Sequence, residues 1–340
     1  MHHLHLLLQL QFLIQYQTRA SSPAASDLSV MIGQARGASP DGFCRQADRL
    51  PDEASAWCAP RSRRSGARRL DWILTVLLPA KESCYHVRPV ILVHGLMGTE
   101  EAHFGGCRRW WTHSITEMRL PGHGTEGGVP SHPAAAAIDR LREVIDEQPE
   151  PPVVVGLSYL GAAVAFRAAE NAPARVAGVV MSGYSFLVAP DVLNRWLTGF
   201  TRMAARQQRA RDHFADLHGQ KWEKLLTATF DEIADGCLRL PGADELERFG
   251  APVQLVNGAL LQNERNAIGP AAASGADVAV VAGAGHVVPV DAPRVFAATV
   301  EEFADRIDAG HTAFHERRRA AARAAQAETS AEEAEEATHA

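Results

Sequence analysis

Five short apolar runs, each closed by small residues, constrain this chain more than any other feature. VILV at 90–93 stops at His94-Gly95, VVV at 153–155 stops at Gly156, and the run at 176–181 stops at Ser182-Gly183. Two more follow, at 253–256 before Asn257-Gly258 and at 278–281 before Gly283. Unbroken β-branched runs, without polar alternation, belong to strands covered on both faces. Helical patterns lie between them, at 134–145 and 162–169. Strand–helix–strand repetition implies an α/β fold, with a mainly parallel, doubly wound sheet and right-handed crossovers. Ligands of such sheets bind at the carboxyl ends of the strands, where each of these runs carries its small residues. With 340 residues, 46% of them hydrophobic, the chain can bury the core that this requires.

The two ends lack that rhythm. Residues 1–16, MHHLHLLLQLQFLIQY, are apolar but broken by glutamines and have no basic residue ahead of the run. A secretory signal needs both features, so secretion is the alternative and a cytoplasmic protein the expectation. Ser, Ala, Pro, Gly and Arg dominate residues 18–70, and residues 1–69 are expected to form a disordered extension. Its arginines at 61, 63, 64, 68 and 69 are expected to be solvated. Residues 311–340 form an Ala/Glu/Arg-rich tail, expected to be an exposed helix. Function is therefore sought between residues 70 and 310.

Composition excludes several classes. The net charge of −6, from 34 basic and 40 acidic residues, is the wrong sign for broad nucleic-acid binding. No apolar run approaches the roughly 18 residues of a membrane span. The five cysteines (Cys44, Cys58, Cys84, Cys107, Cys237) form neither a zinc spacing nor a disulfide framework, which fits a reducing compartment. No metal-ligand spacing or nucleotide-binding glycine loop follows a strand, so no metal and no cofactor are expected.

One insertion interrupts the alternation. Residues 184–249 show no strand but two amphipathic stripes: Leu193, Trp196, Leu197, Phe200 and Met203, then Trp222, Leu225, Leu226, Thr229, Phe230 and Ile233. Both stripes can simply pack on the sheet. The position of the insertion, where one short crossover should join two strands, favours a small helical lid with Trp196, Phe200 and Trp222 facing an apolar substrate.

The sequence VVVGLSYLGAA at 153–163 is a strand, a sharp turn and a helix with Ser158 at the tip. A serine placed there projects its hydroxyl clear of the sheet, with a helix N-terminus behind it to stabilise negative charge. This segment resembles the nucleophile elbow of the α/β-hydrolase superfamily. Its G-x-S-Y-x-G spelling, with Leu160 at the usual glycine position and Gly161 next, is similar to that of cocaine-esterase and X-Pro-dipeptidyl-peptidase-type hydrolases. PVILVHGLMG at 89–98 resembles the family's strand and oxyanion loop, RLPGHG at 119–124 its structural turn, and VVAGAGH at 280–286 the loop that delivers its histidine. The resemblance spans residues 88–310 and implies an α/β-hydrolase domain at 70–310 containing the lid insertion. It further implies Ser158 as nucleophile, His286 as general base, and the N–H groups of Leu96 and Tyr159 as the oxyanion hole.

The third member of the triad stays open. The family's acid usually follows the next-to-last strand in a G-x-x-D turn, whereas here that turn is Gly258-Ala259-Leu260-Leu261. Leucine cannot accept a hydrogen bond from an imidazole. Glu264, three residues on, and Asp191, beyond the preceding strand, are the candidates, and loss of the acid is the third reading. The expectation is a serine hydrolase that cleaves a small apolar ester, thioester, lactone or amide. Its rival, resting on Leu261, is an impaired relative that binds a small apolar ligand. The oligomeric state is not legible in the sequence.

Overall fold

The computed structural model describes residues 87–188 and 190–324, without the side chains of 190, 191, 193 and 194. The expected extension at 1–69 and the tail beyond 324 lie outside the described residues.

The strands are β1 (Pro89–Val93), β2 (Ser114–Met118), β3 (Val153–Leu157), β4 (Gly178–Ser182), β5 (Val253–Gly258) and β6 (Asp277–Val281). They form one parallel sheet in the order β2-β1-β3-β4-β5-β6. The helices, in chain order, are α1 (Glu100–Phe104), α2 (Pro133–Asp146), α3 (Ser158–Glu170), α4 (Pro190–Arg206), α5 (Gln208–His218), α6 (Trp222–Ala234), α7 (Ala243–Arg248), α8 (Gln262–Asn266), α9 (Ile268–Ala273), α10 (Val288–Asp291) and α11 (Pro293–Asp308).

Successive side chains of a strand point to opposite faces, so each covered strand feeds two cores. In β1, Ile91 and Val93 join Leu141, Val164 and Phe166 of α2 and α3. Val90 and Leu92 join Phe104 of α1 and Phe296, Val300 and Phe303 of α11 on the other face. The sheet order reverses between β1 and β3, and at such a switch point the loops at the strand ends diverge to leave a crevice. The loop after β1 and the turn after β3 flank it.

The double cover expected for every run fails at β6. Val278 and Val280 are 38% and 48% exposed, because among the described residues helices cover only the opposite face of β6. The domain also runs past residue 310. Thr312 is fully buried, and the N–H of Ala313 donates to Asp277 Oδ2 at 3.2 Å, tying the start of a helical stretch at 313–324 to β6.

The insertion between β4 and β5 holds four helices, α4 to α7, where the stripes had indicated two. Two polar clamps fix it to the sheet domain. Glu232 of α6, 4% exposed, accepts the N–H groups of Ala134 and Ala135 at 2.7 and 3.1 Å, serving free donors at the start of α2. Arg167 of α3 forks onto Glu245 of α7 at 2.8 and 3.0 Å, pairs with Glu170 at 2.8 Å and donates to the Arg239 carbonyl at 3.0 Å. Removing Arg167 takes the buried fork from Glu245 and leaves it to the exposed Arg239, 3.2 Å away. Arg167→Ala should therefore lower the unfolding free energy by about 3 kcal/mol. Arg167→Lys should recover less than half of that, lacking the planar fork. Urea unfolding at neutral pH measures both.

Candidate active site

The turn after β3 forces Ser158 into a left-handed conformation, with φ at 62°. A non-glycine residue held there costs about 1–3 kcal/mol, so its surroundings must impose it. Gly156 does so by letting β3 close on α3, and Gly161 by letting α3 close on the end of β1. A Cβ on Gly156 would stand 2.6 Å from Ala162 Cα, and one on Gly161 would stand 2.6 Å from the His94 carbonyl. Leu160, at the position where glycine is usual, turns into the core instead and is 3% exposed.

Ser158 is also the first residue of α3. The N–H of Tyr159 is therefore among the first-turn donors that have no partner within the helix. Across the crevice, Gly95 packs so closely that an added Cβ would lie 2.8 Å from Ser158 Cβ, which brings the loop carrying Leu96 against the elbow. Met97, the next residue, is the other described non-glycine residue with positive φ, at 55°.

His286 follows β6 on the loop before α10. Its Nε2 lies 2.7 Å from Ser158 Oγ, and its Nδ1 lies 2.6 Å from Glu264 Oε1. With a carboxylate accepting at Nδ1, the ring proton sits there and the Nε2 lone pair faces the serine hydroxyl. Glu264 reaches His286 from α8, and its side chain is fully buried. Asp191, the other candidate acid, falls in the first turn of α4, and its side chain lies outside the described part of the chain.

Asn257, also fully buried, fixes the frame around Glu264. Its Oδ1 accepts the Tyr184 N–H at 3.1 Å, while its Nδ2 donates to the carbonyls of Tyr184 and Glu264 at 2.7 and 3.1 Å. Asp291 steadies the histidine loop by accepting the Gly285 N–H at 2.7 Å, and burial pushes its carboxyl above the usual range. Neither residue carries a sequence signal, since both act through folding that spacing does not report.

The three residues expected to contact substrate separate. Trp196 packs on Tyr159 at 5.7 Å between ring centroids and on Leu261, beside the elbow. Phe200 and Trp222 join Phe214, Leu226 and Phe230 in the insertion's own apolar cluster, which Met97 also enters. Arg195, Arg202, Arg206 and Arg209 are exposed. Among the described residues, no group of three His, Cys, Asp or Glu side chains is arranged to hold a metal ion, and no helix is long and apolar enough to cross a membrane. Cys107 is buried and Cys237 exposed, both as free thiols.

Behind the loop after β1 lies a column of buried histidines, His94, His103, His123 and His218, of which the sequence marked only His94 and His123, as turn residues. The His94 Nε2 accepts the Leu120 N–H at 3.1 Å, which leaves the proton on Nδ1 to donate to the Gly95 carbonyl at 2.9 Å. That carbonyl shares a planar peptide with the Leu96 N–H, so His94 sets the direction of the N–H. From the other side, His103 Nδ1 accepts the Gly95 N–H at 3.1 Å. His123 packs edge-on against both His94 and His218, at 4.9 and 5.3 Å.

Residues 90–299 match the sequence model of the Alpha/beta hydrolase family. The chain belongs to that family, and its membership supports hydrolase activity. Among solved structures it is similar to NosK from Streptomyces actuosus, with 32% identity and a TM-score of 0.59 over 64% of this chain and 97% of that one. It is also similar to naproxen esterase (carboxylesterase NP) from Bacillus subtilis, at 19% identity and a TM-score of 0.47 over 64% of this chain and 84% of that one. Monoacylglycerol lipase from Paleococcus ferrophilus is similar at 21% identity and a TM-score of 0.45 over 63% and 93%. No curated protein matches the chain.

The histidine column makes the fold sensitive to acid. Burial pulls His94 and His218 each down to about 4, and pulls His123 well below its usual value. The folded protein thus keeps these rings neutral, whereas the unfolded chain takes up protons below about pH 6.5. Their stabilisation is complete above that pH and is lost as the pH falls towards 4. Glu100 opposes the loss at His94, while Arg119 and Lys221 add to it at His94 and at His123 and His218 respectively. For the fully buried His94 alone, the loss is on the order of 3 kcal/mol. Urea midpoints should fall steeply between pH 6.5 and 4.5, and His94→Asn should flatten that slope in part.

Proposed function

We propose that this protein is a serine hydrolase that opens a carboxylic ester, or a thioester, lactone or amide, of a small apolar substrate through an acyl-enzyme. The observation that carries this reading is the unbroken line from Ser158 Oγ through His286 to Glu264, with contacts of 2.7 and 2.6 Å. In it the Ser158 hydroxyl attacks the acyl carbon as its proton passes to His286 Nε2. Glu264 stabilises the imidazolium through Nδ1. The N–H groups of Leu96 and Tyr159 hold the oxyanion, and His286 returns its proton to the leaving group. Water then attacks the acyl-enzyme by the same route in reverse.

Leu261 was the ground for the rival reading of a binding protein without an acid. Its burial against Trp196, with Glu264 on the imidazole, supports the catalytic reading instead. Ser158→Ala and His286→Ala should each abolish turnover of a p-nitrophenyl ester and, for Ser158→Ala, labelling by a fluorophosphonate. Glu264→Gln should lower kcat by about 10⁴-fold, the scale of a lost triad acid. Leu261→Asp should gain nothing, since it buries a charge where no imidazole waits. Wild-type protein that never labels overturns the nucleophile; Glu264→Gln at full rate overturns the acid.

The insertion α4 to α7 is proposed as the lid. Its Trp222 and Phe230 are buried in its own cluster, and Leu197, Phe200 and Leu96, which pack on that cluster but stay half-buried, are the side chains proposed to meet an apolar acyl chain. Each methylene buried there contributes about 0.8 kcal/mol, nearly fourfold in affinity. The specificity constant should rise from acetate to hexanoate esters. A flat or falling series removes the insertion from the substrate site.

A further inference from the structure

The side chain of Tyr159 does something that its backbone does not. Its ring lies near-parallel to the imidazole of His286, 6.2 Å between centroids and 22° between planes, and packs at 5.1 Å on Tyr184. The phenol hydroxyl is buried and finds no acceptor among the described residues. Glu264 Oε2, the oxygen turned away from His286, is equally buried and finds no donor among them. The negative charge of Glu264 acts directly on the phenol, and the amide of Asn263 stands beside it as a donor. Buried polar atoms in native proteins are rarely left unmatched, and those that are call for a cause. Here a donor and an acceptor of opposite need belong to the two residues that border one imidazole, Tyr159 on its face and Glu264 at its Nδ1.

We propose that Tyr159 is a positioning residue for the triad acid, its hydroxyl donating to Glu264 Oε2 as the imidazolium forms. The inference rests on the reading of Glu264 as that acid. Hydrogen bonds of catalytic groups are commonly long in the free enzyme and tighten in the loaded one, when charge develops. The reaction needs the carboxylate held in one rotation, with Oε1 on Nδ1. A second hydrogen bond, at Oε2, stops it from turning, whereas Asn257 fixes only the backbone of Glu264. The bond also draws part of the carboxylate charge away from the imidazole. The other groups that face this assembly are Tyr184, which packs on Tyr159, and Asp291, whose charge reaches His286.

Tyr159→Phe keeps the backbone N–H and the ring and removes only the hydroxyl. It should lower kcat for a p-nitrophenyl ester about tenfold, the scale of a hydrogen bond to a charged group, with KM unchanged within twofold. The acid limb of the kcat/KM profile should move to higher pH, because the whole carboxylate charge then faces His286. In a Glu264→Gln background the same substitution should have no further effect, as it acts through that carboxylate. A Tyr159→Phe profile that superimposes on wild type overturns the proposal, as does an equal loss in both backgrounds. An inactive Glu264→Gln beside a neutral Tyr159→Phe leaves the triad standing and removes only this inference. A fully active Glu264→Gln removes both.

Discussion

Ser158 sits in a backbone conformation that a serine does not choose, and the packing of three glycines around it compels that choice. Gly156 lets β3 and α3 approach until no side chain fits between them, Gly161 does the same for α3 and the end of β1, and Gly95 brings the neighbouring loop within reach of Ser158. The strain lies in the one residue whose side chain must leave the sheet, while the stabilisation comes from the cores on both faces of β1 and β3. A looser junction would relax Ser158 into ordinary helix, bury its hydroxyl and part it from His286. The remaining geometry follows from holding that turn fixed.

The three side chains on the proposed proton path enter on different elements, and this explains how legible each was in the sequence. Ser158 and His286 each follow a strand of unbroken apolar residues, so the end of the strand points to the residue beyond it. Strands β1, β3, β4 and β5 were visible for the same reason, being covered on both faces. Ser114–Met118, an edge strand with polar residues, carried no such run, and the exposed valines of β6 show that a run need not mean double cover. Helix α5 escaped notice because only Ala210, Phe214 and His218 of it are buried. The histidines behind the loop after β1 were invisible as a group, since they are drawn together from the end of β1, from α1, from the turn after β2 and from the end of α5.

The insertion shows what an apolar stripe cannot say. Trp196, Phe200 and Trp222 look alike on a helical wheel, yet only Trp196 lies against Tyr159, while Trp222 closes the insertion's own cluster. A stripe gives the direction of a buried face but not the identity of its neighbour. Met97 joins that cluster from the loop after β1, with positive φ, so the position of the insertion and the shape of the loop are set by one set of contacts.

Under the proposed mechanism, Leu261 and Glu264 illustrate how the same fold meets one requirement from a different residue. Leu261, at the start of α8, has extended backbone, and its side chain fills a seat made by Trp196, Val188, Val192 and Tyr159. A carboxylate in that seat would be desolvated against the apolar side chains of Trp196, Val188 and Val192. Three residues on, the chain has risen about 4.5 Å along the helix and returned to nearly the same face. The longer side chain of glutamate then spans to Nδ1 of His286, while Asn257 holds the carbonyl behind it. Moving the acid one turn along the helix thus releases position 261 for apolar contact with α4. The docking of the insertion beside the elbow and the unusual place of the proposed acid are consequences of a single exchange.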